Sequence, residues 1–177
     1  MDERGLHGLS CRYSAGRHPR HAALNDVVKR ALQRAGIPSV LEPPGLDRGD
    51  GSRPDGITVF PFSQGRSLVW DCTCVDTFAE SHLAKAAFEA GSIASGAEDR
   101  KRHKYAGLRE TYRFEPIAIE TSGVYGKSTG SSVRELGRRL VEATGDSREA
   151  SWFQQNLALA VQRGNAFSIL SASRERF

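Results

Sequence analysis

The run Gly56-Ile57-Thr58-Val59-Phe60-Pro61-Phe62, Ser63-Gln64-Gly65-Arg66, Ser67-Leu68-Val69-Trp70-Asp71-Cys72-Thr73-Cys74-Val75 decides how this chain is read. Its flanks are rich in β-branched and aromatic residues, and the four residues between them are polar or glycine, so the run predicts a β-hairpin. A hairpin turning around residues 63–66 brings Asp71 back to the neighbourhood of Gly56, and therefore to Asp55, which follows Arg53-Pro54. Two carboxylates held together repel, and burying part of Asp71 beside Val69 and Trp70 adds to the cost unless a cation fills the gap. Hard oxygen ligands, few in number and leaving room for water and phosphate, favour Mg²⁺ or Mn²⁺ over zinc. The plainer alternative is an ion pair of Asp55 with Arg53, Arg66 or another cation, leaving Asp71 as a solvent-facing strand residue.

Working outward from the hairpin, the upstream residues Leu24, Val27, Val28, Ala31 and Leu32 recur at helical spacing between Pro19 and Gly36. They predict an amphipathic helix. A short strand at 39–42 and an exposed Gly/Asp/Arg-rich loop at 43–52 follow. Downstream, residues 78–112 are rich in Ala, Glu, Lys and Arg, with Leu83, Ala86, Ala87 and Ala90 as an apolar stripe that Gly91 and Gly96 divide. Residues 114–121 alternate as a strand, with Ile117 and Ile119 on one face. Two helices, at 131–143 and 147–171, finish the chain, the second with Asp146 as N-cap. Residues 1–16 are polar and aperiodic and read as a flexible arm. The expected fold is an α/β domain spanning 17–177: helix-strand-strand-strand-helix-strand, a mixed sheet flanked by helices, with two appended C-terminal helices from about 131.

The composition sets the outer bounds. The 177 residues are 38% hydrophobic and 26% charged, which excludes disorder throughout. No run approaches the ~18 to 20 apolar residues that span a bilayer, and MDERGLHGLS has no apolar signal region, so no membrane partner and an intracellular location are expected. Cys11, Cys72 and Cys74 are too few for a disulfide framework, and two of them share one strand face, so reduced thiols are expected. The net charge of +4 is weak evidence for a polyanion partner by itself. Its clustering at 98–105, and at Arg12, Arg17, His18, Arg20 and His21, is compatible with one, although most such clusters are solvated helix faces.

The order of elements, Pro54-Asp55 opening the second strand and Asp71 within the third resemble the PD-(D/E)XK nuclease superfamily over roughly residues 18–121. That superfamily's usual lysine, two residues after the second acid, is Thr73 here. A lysine from the following helix can reach the same space, and Lys101 and Lys104 lie there beside Tyr105; Lys101 and Tyr105, four apart, share a helical face. Arg53-Pro54-Asp55, Asp71-Cys72-Thr73 and the downstream Lys and Tyr resemble more narrowly the restriction-like endonuclease domain of site-specific non-LTR retrotransposon proteins. Arg20-His21 with Leu24-Asn25-Asp26 is similar to that domain's opening. His7 and Cys11 resemble the last two ligands of its zinc knuckle, whose first two cysteines are absent, so a remnant rather than a zinc site is expected.

The resemblance implies a Mg²⁺- (or Mn²⁺-) dependent endodeoxyribonuclease that nicks target DNA for retrotransposon integration, nuclear in a eukaryote, with RNA engaged through a larger retrotransposon protein. It implies catalytic roles for Asp55, Asp71, Tyr105 and Lys101 or Lys104. Asp55, Asp71 and the Cys72 carbonyl would hold the metal. Arg20, His21, Asn25, Arg53, Arg100 and Arg102 would contact nucleic acid. A catalytically inactive nucleic-acid-binding remnant of the same fold is the alternative, which Thr73 permits; a metal-free scaffold that binds a protein partner is a third reading. Gly123-Val124-Tyr125-Gly126-Lys127-Ser128-Thr129 superficially matches a phosphate-binding loop, but Thr121 stands where that loop needs its first glycine, so nucleotide hydrolysis is not expected.

Overall fold

The computed structural model describes residues 7–10, 16–46 and 52–174. In chain order these form α1 (His7–Ser10), α2 (Arg17–Arg34), β1 (Ser39–Leu41), β2 (Gly56–Thr58) and β3 (Leu68–Val75). Then come α3 (Glu80–Phe88), α4 (Ser92–Lys104), a 3-10 turn (Ala106–Glu110), β4 (Arg113–Glu120), α5 (Lys127–Thr144) and α6 (Glu149–Arg174). The strands form one mixed sheet in the order β1-β2-β3-β4, with the first two pairings antiparallel and β3/β4 parallel. The parallel pair needs a long crossover, which α3 and α4 supply.

β3 is the central strand, and its alternation divides the interior. Leu68, Trp70 and Cys72 face a core built from α2, α5 and α6 with Ile117 and Ile119 of β4. Val69 faces the other side, packing with Tyr105 and Phe114, while Ala94 and Ala97 of α4 lie against Ala118. A strand covered on both faces reads as a nearly continuous apolar run, as LVWDCTCV does apart from Asp71 and Thr73. Burial also pushes both strand thiols up, Cys74 to about 11, so neither is a ready nucleophile.

Several boundaries differ from expectation for physical reasons. The hairpin forms with Gly56 opposite Trp70, but β2 ends at Thr58, and Val59 and Phe60 turn out to solvent. The Thr58 hydroxyl donates to the Phe60 carbonyl and accepts from the Leu68 N–H, closing the ladder there with a side chain. The helical stretch divides at Gly91, whose φ of 79° and whose Cβ position, 2.6 Å from the Tyr125 carbonyl oxygen, both demand glycine. Gly96 stays inside α4. Asp146 does not cap α6 directly; it accepts from the Arg148 N–H in a turn that leads into the helix. Within the expected arm, residues 7–10 form one helical turn whose Leu9 is buried and whose Gly8 approaches Ile169 and Ala172 of α6. Cys11, and with it the pairing of His7 and Cys11, lies outside the described residues.

Candidate active site

Asp55 sits one residue before β2, and continuing the β2/β3 register places it opposite Asp71. Its backbone N–H donates to the Trp70 carbonyl at 3.0 Å, which fixes the main chain. Its side-chain Oδ2 accepts from the Cys72 N–H at 2.6 Å and from His21 Nε2 at 3.0 Å. Burial alone would push the Asp55 carboxyl up. The hydrogen bond and positive charge of His21, the Cys72 N–H and the Asn25 amide outweigh that and hold it below its ordinary value. The same contact with Asp55 raises His21, against the effect of partial burial.

Asp71 meets Lys101 of α4 and is 3% exposed. Lys101 Nζ lies 2.5 Å from its Oδ1, an ion pair that α4 brings to the strand. Burial first, and the Asp55 charge second, push the Asp71 carboxyl up, while Lys101 and Tyr105 pull it back only in part. The two acids thus occupy opposite regimes: Asp55 is well solvated by protein donors, and Asp71 is under-solvated.

Of the two candidate lysines, α4 delivers Lys101 to Asp71. Lys104, three residues on, lies with its Nζ 5.1 Å from the centre of the Tyr105 ring. Tyr105 is almost fully buried, stacks on Phe114 and donates its hydroxyl to the Arg53 carbonyl at 2.8 Å, tying the end of α4 to the segment that carries Asp55. Thr73, on the Asp71 face, leaves the space that a strand lysine would take, and the ammonium arrives from the helix instead.

The donor set fits a hard dication. Two carboxylates stand in cross-strand register on adjacent extended segments, and a nearly buried Asp71 carboxyl pushed up by burial and by the Asp55 charge is the kind of group a cation would stabilise. Because the Cys72 N–H leaves β3 on the Asp55 side, its carbonyl leaves on that side too, adding a third oxygen. Oxygen ligands in that number match Mg²⁺ or Mn²⁺, which retain water and phosphate ligands. Among the described residues no group of three or more His, Cys, Asp or Glu side chains forms a closed metal cage.

The other expected contacts are distributed unevenly. His21 and Asn25 are at the site, but both act on Asp55. Arg53 is ion-paired with Glu42, and Arg102 with Asp99 at 3.0 Å; Arg100 is exposed on the α4 surface. Arg20 faces away: it is 4% exposed and donates to Asn165 Oδ1 at 2.8 Å, fastening α2 to α6. A buried guanidinium in that position is part of the packing between α2 and α6.

Two residues escaped the sequence reading. Trp70 donates its indole N–H to Asn25 Oδ1 at 3.0 Å, a link signalled only by the rule that a buried indole needs an acceptor. Glu98 answers the phosphate-loop lookalike. Its carboxylate accepts from the Ser128 and Thr129 N–H groups and the Thr129 hydroxyl, at 3.1, 2.8 and 2.7 Å, so the α5 N-terminus already holds an internal anion. No protein-family model and no curated protein matches this sequence.

Proposed function

We propose that this protein is a metal-dependent DNA endonuclease with a restriction-endonuclease-like core. In this reading it nicks target DNA, in a nuclear setting where the host is eukaryotic, to supply the primer for retrotransposon integration, with RNA reached through a larger protein. One observation carries the reading: Asp55 and Asp71 stand in cross-strand register on adjacent extended segments, and the crossover helix brings Lys101 to Asp71.

A bound Mg²⁺ or Mn²⁺ supplies polarisation of the attacking water and neutralises charge that builds on the phosphate. Asp55 and Asp71 would hold that ion, together with the Cys72 carbonyl. Lys101 stands beside Asp71, where its ammonium would orient the water or stabilise the equatorial phosphate oxygens. Tyr105 keeps the α4 terminus in register with Asp55 through Arg53. Water adds to phosphorus, the bond to the 3′ oxygen breaks, and that oxygen takes a proton, leaving a 5′ phosphate and a 3′ hydroxyl. Arg100 and Arg102 on α4 and Arg53 near Asp55 meet the phosphate backbone, so binding is mostly sequence-independent.

The test is conversion of supercoiled plasmid to open circles in Mg²⁺. Asp55→Ala and Asp71→Ala are expected to abolish nicking, and Lys101→Ala to slow it by about 10²-fold or more, with Lys104→Ala having a much smaller effect. Nicking that persists in both aspartate variants would refute the site. Salt-dependent DNA binding by a wild-type protein that never nicks would favour the inactive remnant, for which Thr73 is the structural argument.

A further inference from the structure

Beside the two acids, an arginine already holds an anion of the protein's own. Extending the β1/β2 register by one residue places Glu42 opposite Asp55, and the Glu42 N–H donates to the Asp55 carbonyl at 2.8 Å. The Glu42 carboxylate is ion-paired with Arg53, two residues before Asp55. Both main chains at this pair are fixed. The Arg53 carbonyl accepts from the Tyr105 hydroxyl at 2.8 Å, Pro54 is buried with a locked φ, and the Asp55 N–H is tied to the Trp70 carbonyl of β3. The side chains are free to part: Arg53 is 47% exposed and Glu42 68%, and an ion pair so open to water is held weakly. A guanidinium takes carboxylate and phosphate through the same fork of N–H donors, so either anion fits Arg53.

We infer that Glu42 stands in for a DNA phosphate: its carboxylate occupies Arg53 in the free protein, and a backbone phosphate displaces it when DNA reaches Asp55. The inference rests on the nuclease reading for the identity of the incoming anion. A tethered carboxylate competes at a roughly millimolar effective concentration, so a lone phosphate opens the pair poorly, whereas a DNA phosphate is itself tethered by contacts at Arg100 and Arg102. The pair thereby favours a polyanion over a single phosphate group at the point where the chain carries its first acid.

The experiment follows binding of a short fluorescent DNA duplex to the full chain by anisotropy, over a range of salt and with EDTA present so that nothing is cut. In the wild type, the counterion released by the Arg53–phosphate contact is offset by one that the freed Glu42 carboxylate takes up. Glu42→Gln keeps the shape and removes that offset, so it is expected to tighten binding about fivefold and to steepen the slope of log affinity against log salt by about one. With Arg53→Ala already in place, the same glutamine substitution is expected to change affinity by less than about twofold, since no guanidinium remains to be freed. Equal tightening with and without Arg53 would show that Glu42 only repels DNA by its charge, and overturns the inference; so does an unchanged affinity or slope in Glu42→Gln. Failure of the nuclease reading looks different. A protein that never nicks in Mg²⁺ but shows the Arg53-dependent tightening loses that reading and keeps the stand-in, whereas Asp55-dependent nicking with additive variants keeps the reading and loses the stand-in. A wild type that binds no DNA overturns both.

Discussion

Asp55 and Asp71 are the same residue type one strand apart, yet their environments drive them in opposite directions. His21 follows from the Asp55 contact: its folded pKa is raised above the ordinary 6.5, so the stability it contributes is complete below that value and is lost as pH rises through the folded pKa. Chemical denaturation of metal-free protein is therefore expected to show declining stability just above pH 6.5, and His21→Gln to flatten that decline. Asp55 is lowered, so its contribution is present above its ordinary 3.8 and disappears as acid drives it through the folded pKa. Asp71 is raised, so its ionisation opposes folding above its folded pKa. Replacing it with asparagine is thus expected to leave the thermal midpoint level or higher while eliminating nicking, a trade typical of groups kept for chemistry. A midpoint that dropped by many degrees would show that the carboxylate is there for stability.

Among the elements, α4 and α5 meet through a carboxylate. Glu98 is 2% exposed and satisfies the first turn of α5, and a Cβ on Gly126 would come within 2.2 Å of its Oε1. Glu98→Ala should cost about 1–3 kcal/mol by leaving buried donors unmatched, measurable as a lower urea midpoint, and Gly126→Ala should destabilise through the same contact. Here the limits of reading the sequence are visible. The hairpin was legible because strand period and turn composition are local, and with it came the meeting of Asp55 and Asp71. The choice between Lys101 and Lys104 was not, since both occupy the same helical stretch and the face that meets the acids is set by how Ala94 and Ala97 seat α4 on Ala118. The burial of Arg20 was not legible for the same reason. Its partner, Asn165, is 145 positions away, and no local pattern announces that α6 lies against α2.

Across the whole molecule, α2 and α6 pack together, and Asn165 completes their link by donating to the Thr121 carbonyl at the end of β4. The described helices include none long and apolar enough to cross a membrane. If the charge on α4 serves to attract DNA, Arg100→Ala and Arg102→Ala should weaken binding to unrelated sequences alike, each reducing the slope of log affinity against log salt by about one. A changed sequence preference would point instead to base contacts.

The site draws on both sides of the sheet: His21 and Asn25 approach from α2, and Lys101 arrives from α4 after the strand that bears Asp71. A growing polypeptide consequently carries both acids and the imidazole before it carries the ammonium. On the proposed nuclease reading the cluster is therefore completed last, once the crossover has emerged and β4 has locked it down.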